Sequence, residues 1–166
     1  MTATATLDVN TFRYVLGHFA SGITVVTGGE PDAPAGFTCQ SFSSLSLDPP
    51  LVVVLPHQYS ASWLAIAHSG RFCVNVLAEG QEELSIGFAR RHKDKFAGVA
   101  WTPSPLGSPV IDGVLAWIDC TLAAVHPGGD HFIAVGAVMH CEAGGGSPLL
   151  YHRGRYRGTR PCRIPT

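Results

Sequence analysis

The segment from residue 36 to residue 56 places the tightest constraint on the fold. Two runs, Phe37 to Leu47 and Leu51 to Leu55, flank the tripeptide Asp48-Pro49-Pro50. Proline fixes its own φ angle and keeps the preceding residue out of the helical region, so the tripeptide predicts a turn. The first run is crowded with small hydroxyl side chains and the second is apolar, so the segment predicts two strands joined by that turn.

The remaining sequence predicts more strands than helices. Asp8 can cap a helix whose apolar face holds Phe12, Val15, Leu16 and Phe19, and Ser60 or Ser62 can cap a second one. A third helix is predicted over Gln81 to Arg91, and segments predicted as loop or irregular are Gly28 to Pro34 and Val99 to Pro109. The other predicted strands are Ile23 to Thr27, Arg71 to Leu77, Val114 to His126, Phe132 to Cys141 and Leu149 to His152.

These strands do not alternate regularly with helices, which argues against a parallel βαβ sheet. The turn Pro127-Gly128-Gly129-Asp130 predicts a hairpin between two late strands. The expected fold is therefore mainly β with flanking helices, built as an antiparallel β-barrel. We expect one domain over residues 1–166, because no repeat, linker or internal boundary is evident.

Composition limits the possible functions. Only 14% of the residues are charged and 46% are hydrophobic, which favours an oligomer whose second subunit covers apolar surface. A net charge of −1 argues against nucleic-acid binding, and no apolar run approaches the roughly 20 residues of a membrane span. The first six residues lack signal-peptide features, so a cytoplasmic protein is expected. The five cysteines form no Cys-x-x-Cys pair, and we predict reduced, mostly buried thiols and no metal site.

Four features could bind a ligand, and each has a structural alternative. The hydroxyl cluster of Thr38, Ser41, Ser43, Ser44 and Ser46 could bind a phosphate or a polar ring edge, or could simply suit a half-exposed strand. Ser60 and Ser62 could present a helix N-terminus to an anion, or could only cap it. The basic run from Arg90 to Phe96 could neutralise phosphates, or could oppose a helix dipole. Asp130-His131 could orient a substrate or shuttle a proton, or could be ordinary turn residues.

Taken together, these pieces resemble the short-chain flavin reductase family. The segments from Phe12 to Thr27 and from Gly36 to Val52 look like that family's opening helix and strand and its central motif. The motifs that follow in matching order are Phe72-Cys73-Val74-Asn75-Val76-Leu77, Lys95-Phe96, Gly129-Asp130-His131 and Leu149-Leu150-Tyr151. The resemblance covers nearly the whole chain.

The resemblance implies an FMN-binding split barrel, usually a homodimer, that reduces FMN or FAD with NADH or NADPH and supplies reduced flavin to a separate monooxygenase. It implies that His131 binds or orients the nicotinamide, beside Asp130. The residues that it places around the flavin ring edge are Thr38, Cys39, Gln40 and Ser41. Those that it places at the ribityl, phosphate or adenosine end are Pro56, Ser60, Ser62, Arg90, Lys95 and Phe96, with Tyr151, Arg155 and Tyr156 as further candidates for the pocket.

One position departs from the family pattern, and other functions share the fold. Many relatives carry a small residue and Asn where this chain has Cys39 and Gln40; Gln keeps both a donor and an acceptor. The main alternative function is a non-enzymatic flavin-binding or electron-carrier protein on the same barrel. A pyridoxamine-phosphate oxidase-like enzyme and a catalytically silent dimerisation module are further alternatives.

Overall fold

The computed structural model describes residues 7–91 and 94–159. His92 and Lys93 of the predicted basic run, Cys162 and the first six residues lie outside this described part. Within it, none of the helices is long and apolar enough to cross a membrane.

Strands dominate the described chain. The helices are α1 (Val9–Leu16), α2 (Ala61–Ser69) and α3 (Glu82–Ala89). The strands of the first half are β1 (Ser21–Gly22), β2 (Thr24–Glu30), β3 (Ala33–Cys39), β4 (Phe42–Leu47), β5 (Pro50–Val54) and β6 (Arg71–Val76). Those of the second half are β7 (Trp101–Pro103), β8 (Pro109–Ile111), β9 (Ala116–Gly128), β10 (His131–Ala143), β11 (Leu150–His152) and β12 (Arg155–Arg157).

The main sheet has seven strands in the order β3-β2-β6-β9-β10-β5-β4, and every neighbouring pair is antiparallel. Two smaller antiparallel sheets, β1-β11-β12 and β7-β8, accompany it. The expectation of a mainly β, antiparallel fold with flanking helices is thus confirmed. The hairpin predicted at residues 127–130 is also present, although β9 runs through Gly128 and only Gly129 and Asp130 form the turn.

Two hydrophobic clusters hold the helices against the sheet. Trp63 and Ile66 anchor α2 in the first cluster, where they pack with Phe72 of β6 and Val54 of β5. Phe88 anchors α3 in the second cluster. Burying large side chains of this kind contributes on the order of 1.5–3 kcal/mol each, so these anchors hold α2 and α3 against the sheet.

The prediction of a loop over Gly28 to Pro34 is wrong. The chain instead continues β2 through Glu30, turns at Pro31-Asp32 and returns as β3. Gly28 permits this because a Cβ atom there would lie 2.8 Å from the Arg71 carbonyl oxygen of neighbouring β6. The glycines were interpreted as turn residues, whereas close approach between two paired backbones requires one of them.

Two further predictions need correction. The single strand predicted over Phe37 to Leu47 is divided at Gln40 and Ser41 into β3 and β4, which lie at opposite edges of the main sheet. The segment predicted to be irregular after Val99 contains the paired strands β7 and β8. Proline-rich strands of three residues give no periodic signal that a sequence pattern could reveal.

The apolar face predicted for α1 exists but is not covered by the rest of the described chain. Asp8 caps α1 as expected, since its carboxylate accepts a hydrogen bond from the Thr11 amide at 2.8 Å. Phe12, Val15 and Leu16 are nevertheless exposed, and Phe19 just beyond the helix is 81% exposed. Among the described residues, this face therefore has no packing partner.

Candidate functional site

A cavity of about 720 Å³ lies at one end of the main sheet. Its walls are β3, the segment that follows β5, the first turn of α2, the end of α3 and the tip of the β9–β10 hairpin. The predicted site residues that line it are Thr38, Cys39, Pro56, Ser60, Ser62, Arg90, Lys95 and His131. Its volume is within the range of about 300–1,000 Å³ that is typical of small-molecule and cofactor sites.

The first turn of α2 opens onto this cavity. Ser60 is the N-cap, and its hydroxyl accepts a hydrogen bond from the Trp63 amide at 3.2 Å. Ala61 and Ser62 follow on the cavity wall, in the first helical turn, where backbone amides have no partner within the helix. Ser60 therefore caps the helix and also lines the cavity, so its two sequence interpretations are compatible.

The opposite wall carries positive charge. Arg90 and Arg91 lie just beyond α3 and are exposed, and Lys95 follows shortly after. The Lys95 ammonium donates hydrogen bonds to the carbonyl oxygens of Phe88 at 2.8 Å and Gly36 at 3.1 Å, and burial lowers the pKa of Lys95. This lysine therefore ties β3 to the end of α3, while the two arginines remain available to an anion.

The hairpin tip contributes a histidine held by its neighbour. The ring Nδ1 of His131 lies 2.7 Å from Asp130 Oδ1, and this hydrogen bond is the main cause that lowers the pKa of Asp130. Both side chains reach solvent, with 42% of His131 and 75% of Asp130 exposed. Since the carboxylate accepts the Nδ1 proton, Nε2 is the ring nitrogen left for a ligand.

His57 is among the lining residues that sequence reasoning missed. It follows β5 directly and pairs with His131 in an isolated antiparallel bridge. The centroids of the two imidazole rings are 5.1 Å apart, with an interplanar angle of 75°. The two histidines lie 74 positions apart in the sequence (131 − 57), so only the pairing of β5 with β10 brings them together.

The β3 wall supplies apolar surface and a buried thiol. Phe37 and Leu55 line the cavity together with Pro56 and Phe88. Thr38 uses its hydroxyl to donate a hydrogen bond to the Ser85 carbonyl oxygen of α3, so this hydroxyl also fixes α3 against β3. Burial raises the pKa of the Cys39 thiol, which disfavours a reactive thiolate there.

Other predicted site residues do not line the cavity. Gln40 and Ser41 form the exposed break between β3 and β4, although Ser41 Oγ lies 3.5 Å from Cys39 Sγ. Asp130 reaches the cavity only through His131. The remaining predicted residues belong to other surroundings: Phe96, Tyr151 and Tyr156 pack against the second hydrophobic cluster, and Arg155 is exposed on β12.

The lining chemistry suits a planar ligand that carries a phosphate. Among the described residues that line the cavity there is no Asp or Glu, whereas Arg90, Arg91 and a helix N-terminus are present. The apolar wall of Phe37, Leu55 and Pro56 can contact a ring system. A flavin has a planar ring system and a phosphorylated tail, which match these two features of the lining.

Comparisons with known proteins agree with this chemistry. The family described as Flavin reductase like domain matches residues 16–160. The reductase subunit HsaB of a flavin-dependent monooxygenase from Mycobacterium tuberculosis is 55% identical over 160 residues, which cover 95% of this chain and 86% of that protein.

Solved structures are similar over the same length. Nitrilotriacetate monooxygenase component B from Mycobacterium thermoresistibile is 51% identical with a TM-score of 0.90, covering 95% of this chain and 89% of that one. The NADH:FAD oxidoreductase of Streptomyces globisporus was solved with NAD and FAD fragments. It is 34% identical with a TM-score of 0.90, covering 96% of this chain and 100% of that one.

Proposed function

The chain belongs to the flavin reductase like domain family, and we propose that it is an NADH:flavin oxidoreductase whose reduced flavin serves a separate monooxygenase. The observation that carries this proposal is the cavity, which combines an apolar wall, a cationic wall and the Asp130–His131 pair. The fold is that of the split-barrel flavin reductases among its structural neighbours.

Each wall of the cavity has a part in holding the flavin. The Ser60 and Ser62 hydroxyls and the free amides at the start of α2 would bind the phosphate, and Arg90 would neutralise its charge. Pro56 and Leu55 would contact the ring, and the backbone of Thr38 and Cys39 would bind its edge. When bound, the flavin supplies the electron sink that accepts a hydride from the nicotinamide.

His131 has a positioning role in this proposal. Asp130 fixes its ring through Nδ1, so Nε2 can hold the nicotinamide against the cavity wall. Hydride transfer between two bound cofactors needs no protein base, and the protein contributes through orientation and exclusion of water. Replacing His131 should therefore impair use of NADH more than binding of flavin.

We also infer a homodimer. The exposed apolar face of α1, with Phe12, Val15 and Leu16, is unusual for an isolated subunit and suits coverage by a second copy. The low charged fraction of 14% supports the same inference. The proposal further places the enzyme in the cytoplasm, where NADH is available.

Steady-state assays with His131→Ala test the proposed roles. We expect the KM for NADH to rise and turnover to fall, since a lost hydrogen bond to the nicotinamide costs on the order of 1 kcal/mol. The flavin dissociation constant should stay within about twofold of the parent, because His131 is proposed to contact the nicotinamide. His126→Ala, on exposed β9, is the matched control. Unchanged NADH kinetics in His131→Ala would contradict the positioning role, and tight flavin binding without NADH oxidation by the parent would favour a carrier.

A further inference from the structure

We propose that His57 is a second nicotinamide-binding residue, and that His57 and His131 together recognise the carboxamide group of the nicotinamide. This proposal rests on the proposed function and adds a residue and a chemical specificity to it. The reasons lie in how the two rings are fixed and in which ring nitrogens remain free.

Backbone hydrogen bonds fix His57 beside the hairpin tip. The Phe132 amide donates to the Pro56 carbonyl oxygen at 2.9 Å, and the Gln58 amide donates to the Asp130 carbonyl oxygen at 3.0 Å. His57 lies between these two bonds, in the bridge to His131. The segment therefore behaves as an extension of β5 along the tip, and the two imidazoles keep their edge-to-face contact.

A backbone amide selects the tautomer of His57. The Tyr59 N–H donates to His57 Nδ1 at 3.1 Å, so Nδ1 acts as an acceptor and the neutral ring carries its proton on Nε2. In its neutral form, His57 thus carries an Nε2–H donor.

His131 is fixed in the opposite sense. Its Nδ1–H donates to Asp130, so in the neutral ring Nε2 is an acceptor. Both rings use Nδ1 for the protein, and both line the cavity. The pair consequently offers one donor and one acceptor from adjacent rings, and a primary carboxamide offers the complementary carbonyl acceptor and amide donor.

Equilibrium binding of NAD⁺ to the flavin-saturated protein tests this assignment without turnover, because NAD⁺ cannot reduce flavin. In calorimetric titrations at pH 8, His57→Phe keeps a ring against His131 but removes the donor, and we expect it to weaken NAD⁺ binding about two- to tenfold. His57→Gln, which restores a donor without the ring, should recover most of that loss. His68→Gln, exposed near the end of α2, is the control.

An analogue locates the contact within the nicotinamide. The 3-acetylpyridine analogue of NAD⁺ keeps the carbonyl and loses the NH₂ group, so His57→Phe should weaken it by the same factor as NAD⁺. The parent should prefer NAD⁺ over the analogue, and His57→Phe should keep that preference, because His131 Nε2 still accepts from the NH₂ group.

Nitrogen-15 NMR of the imidazoles should show His57 as the Nε2–H tautomer.

Several results would overturn the proposal. These are equal NAD⁺ affinities for His57→Phe and the parent, equal losses in the Phe and Gln variants, a parallel loss of flavin affinity, or an Nδ1–H tautomer at His57. Failure of the proposed function looks different, because the parent protein would then fail to oxidise NADH in the presence of flavin.

Discussion

Gly36 sits where β3 passes over the buried end of α3, and we predict that Gly36→Ala destabilises the protein. A Cβ atom at this position would lie 2.6 Å from Phe88 Cε1 and 2.9 Å from Phe88 Cδ1. Phe88 is 1% exposed within the second hydrophobic cluster, and its ring also meets Phe96 edge to face at 5.0 Å. The ring therefore has little room to move away from an added methyl group.

The expected magnitude combines two opposing effects. Overpacking a core typically costs about 1–3 kcal/mol, and alanine recovers about 0.4–1 kcal/mol by restricting the unfolded chain. The net loss should be about 1–2 kcal/mol, equivalent to a fall in Tm of roughly 2–8 °C for a domain of this size. Urea unfolding and thermal scans of the flavin-free protein measure both quantities.

Two further variants separate the clash from general effects of the substitution. Gly87→Ala, in α3, adds its Cβ where no heavy atom lies within 4 Å, and it should stabilise by up to about 1 kcal/mol through helix propensity. Phe88→Leu removes the ring atoms that Gly36→Ala would contact. The double variant Gly36→Ala/Phe88→Leu should be less destabilised than the sum of its single variants. Strict additivity, or a neutral Gly36→Ala, would refute the packing argument.

Four other outcomes follow from the same structure. Ser60→Ala should cost about 1 kcal/mol of stability through the lost cap and should also weaken flavin binding, as measured by unfolding and by flavin titration. Phe12→Glu on the exposed face of α1 should shift the protein to monomer in light-scattering chromatography. N-ethylmaleimide at pH 8 should label exposed Cys141 and spare Cys120, since burial, with the nearby charge of Asp119, raises the pKa of the Cys120 thiol to about 12. The Asp130 carboxyl should titrate in NMR below the ordinary aspartate value of about 3.9.

Each of these outcomes has a result that would contradict it. Full flavin affinity in Ser60→Ala would remove the hydroxyl from the site, and an unchanged mass for Phe12→Glu would remove α1 from the interface. Rapid labelling of Cys120 in the native protein would show that it is not buried. For Asp130 the folded pKa is lowered, so the stabilising contribution of its bond with His131 should be present above the ordinary value and lost as the pH falls through the folded pKa; titration at an ordinary value would contradict the bond.

Local signals in the sequence predicted the elements that depend on neighbouring residues. Asp8 and Ser60 cap the helices that they were expected to cap, because an N-cap acts within three residues. A turn joins β4 to β5 as expected, although it comprises only Asp48 and Pro49, and Pro50 begins β5. The pairing of β2 with β3 around Gly28 and Gly29 was missed because it depends on a residue far away in the sequence. The backbone of β6, at Arg71, approaches Gly28 too closely for a side chain there.

The site also combines residues that sequence motifs predicted with a residue that only the fold reveals. Family motifs led to Ser60, Arg90 and His131, which the fold gathers around one cavity. His57 gave no signal, because its significance depends on the register between β5 and β10. Tyr151 and Tyr156 were expected near the pocket, and whether they reach a bound cofactor stays a prediction; in one subunit they support the second hydrophobic cluster.

The most direct test of the central claim is anaerobic mixing of the purified protein with NADH and either FMN or FAD, with the absorbance of both cofactors followed over time. We expect bleaching of the flavin, matched by an equal loss of NADH and much faster than without protein. The flavin that is reduced faster is the preferred substrate. Bound flavin that stays oxidised in the presence of NADH and of NADPH would contradict the claim that this protein is a flavin reductase.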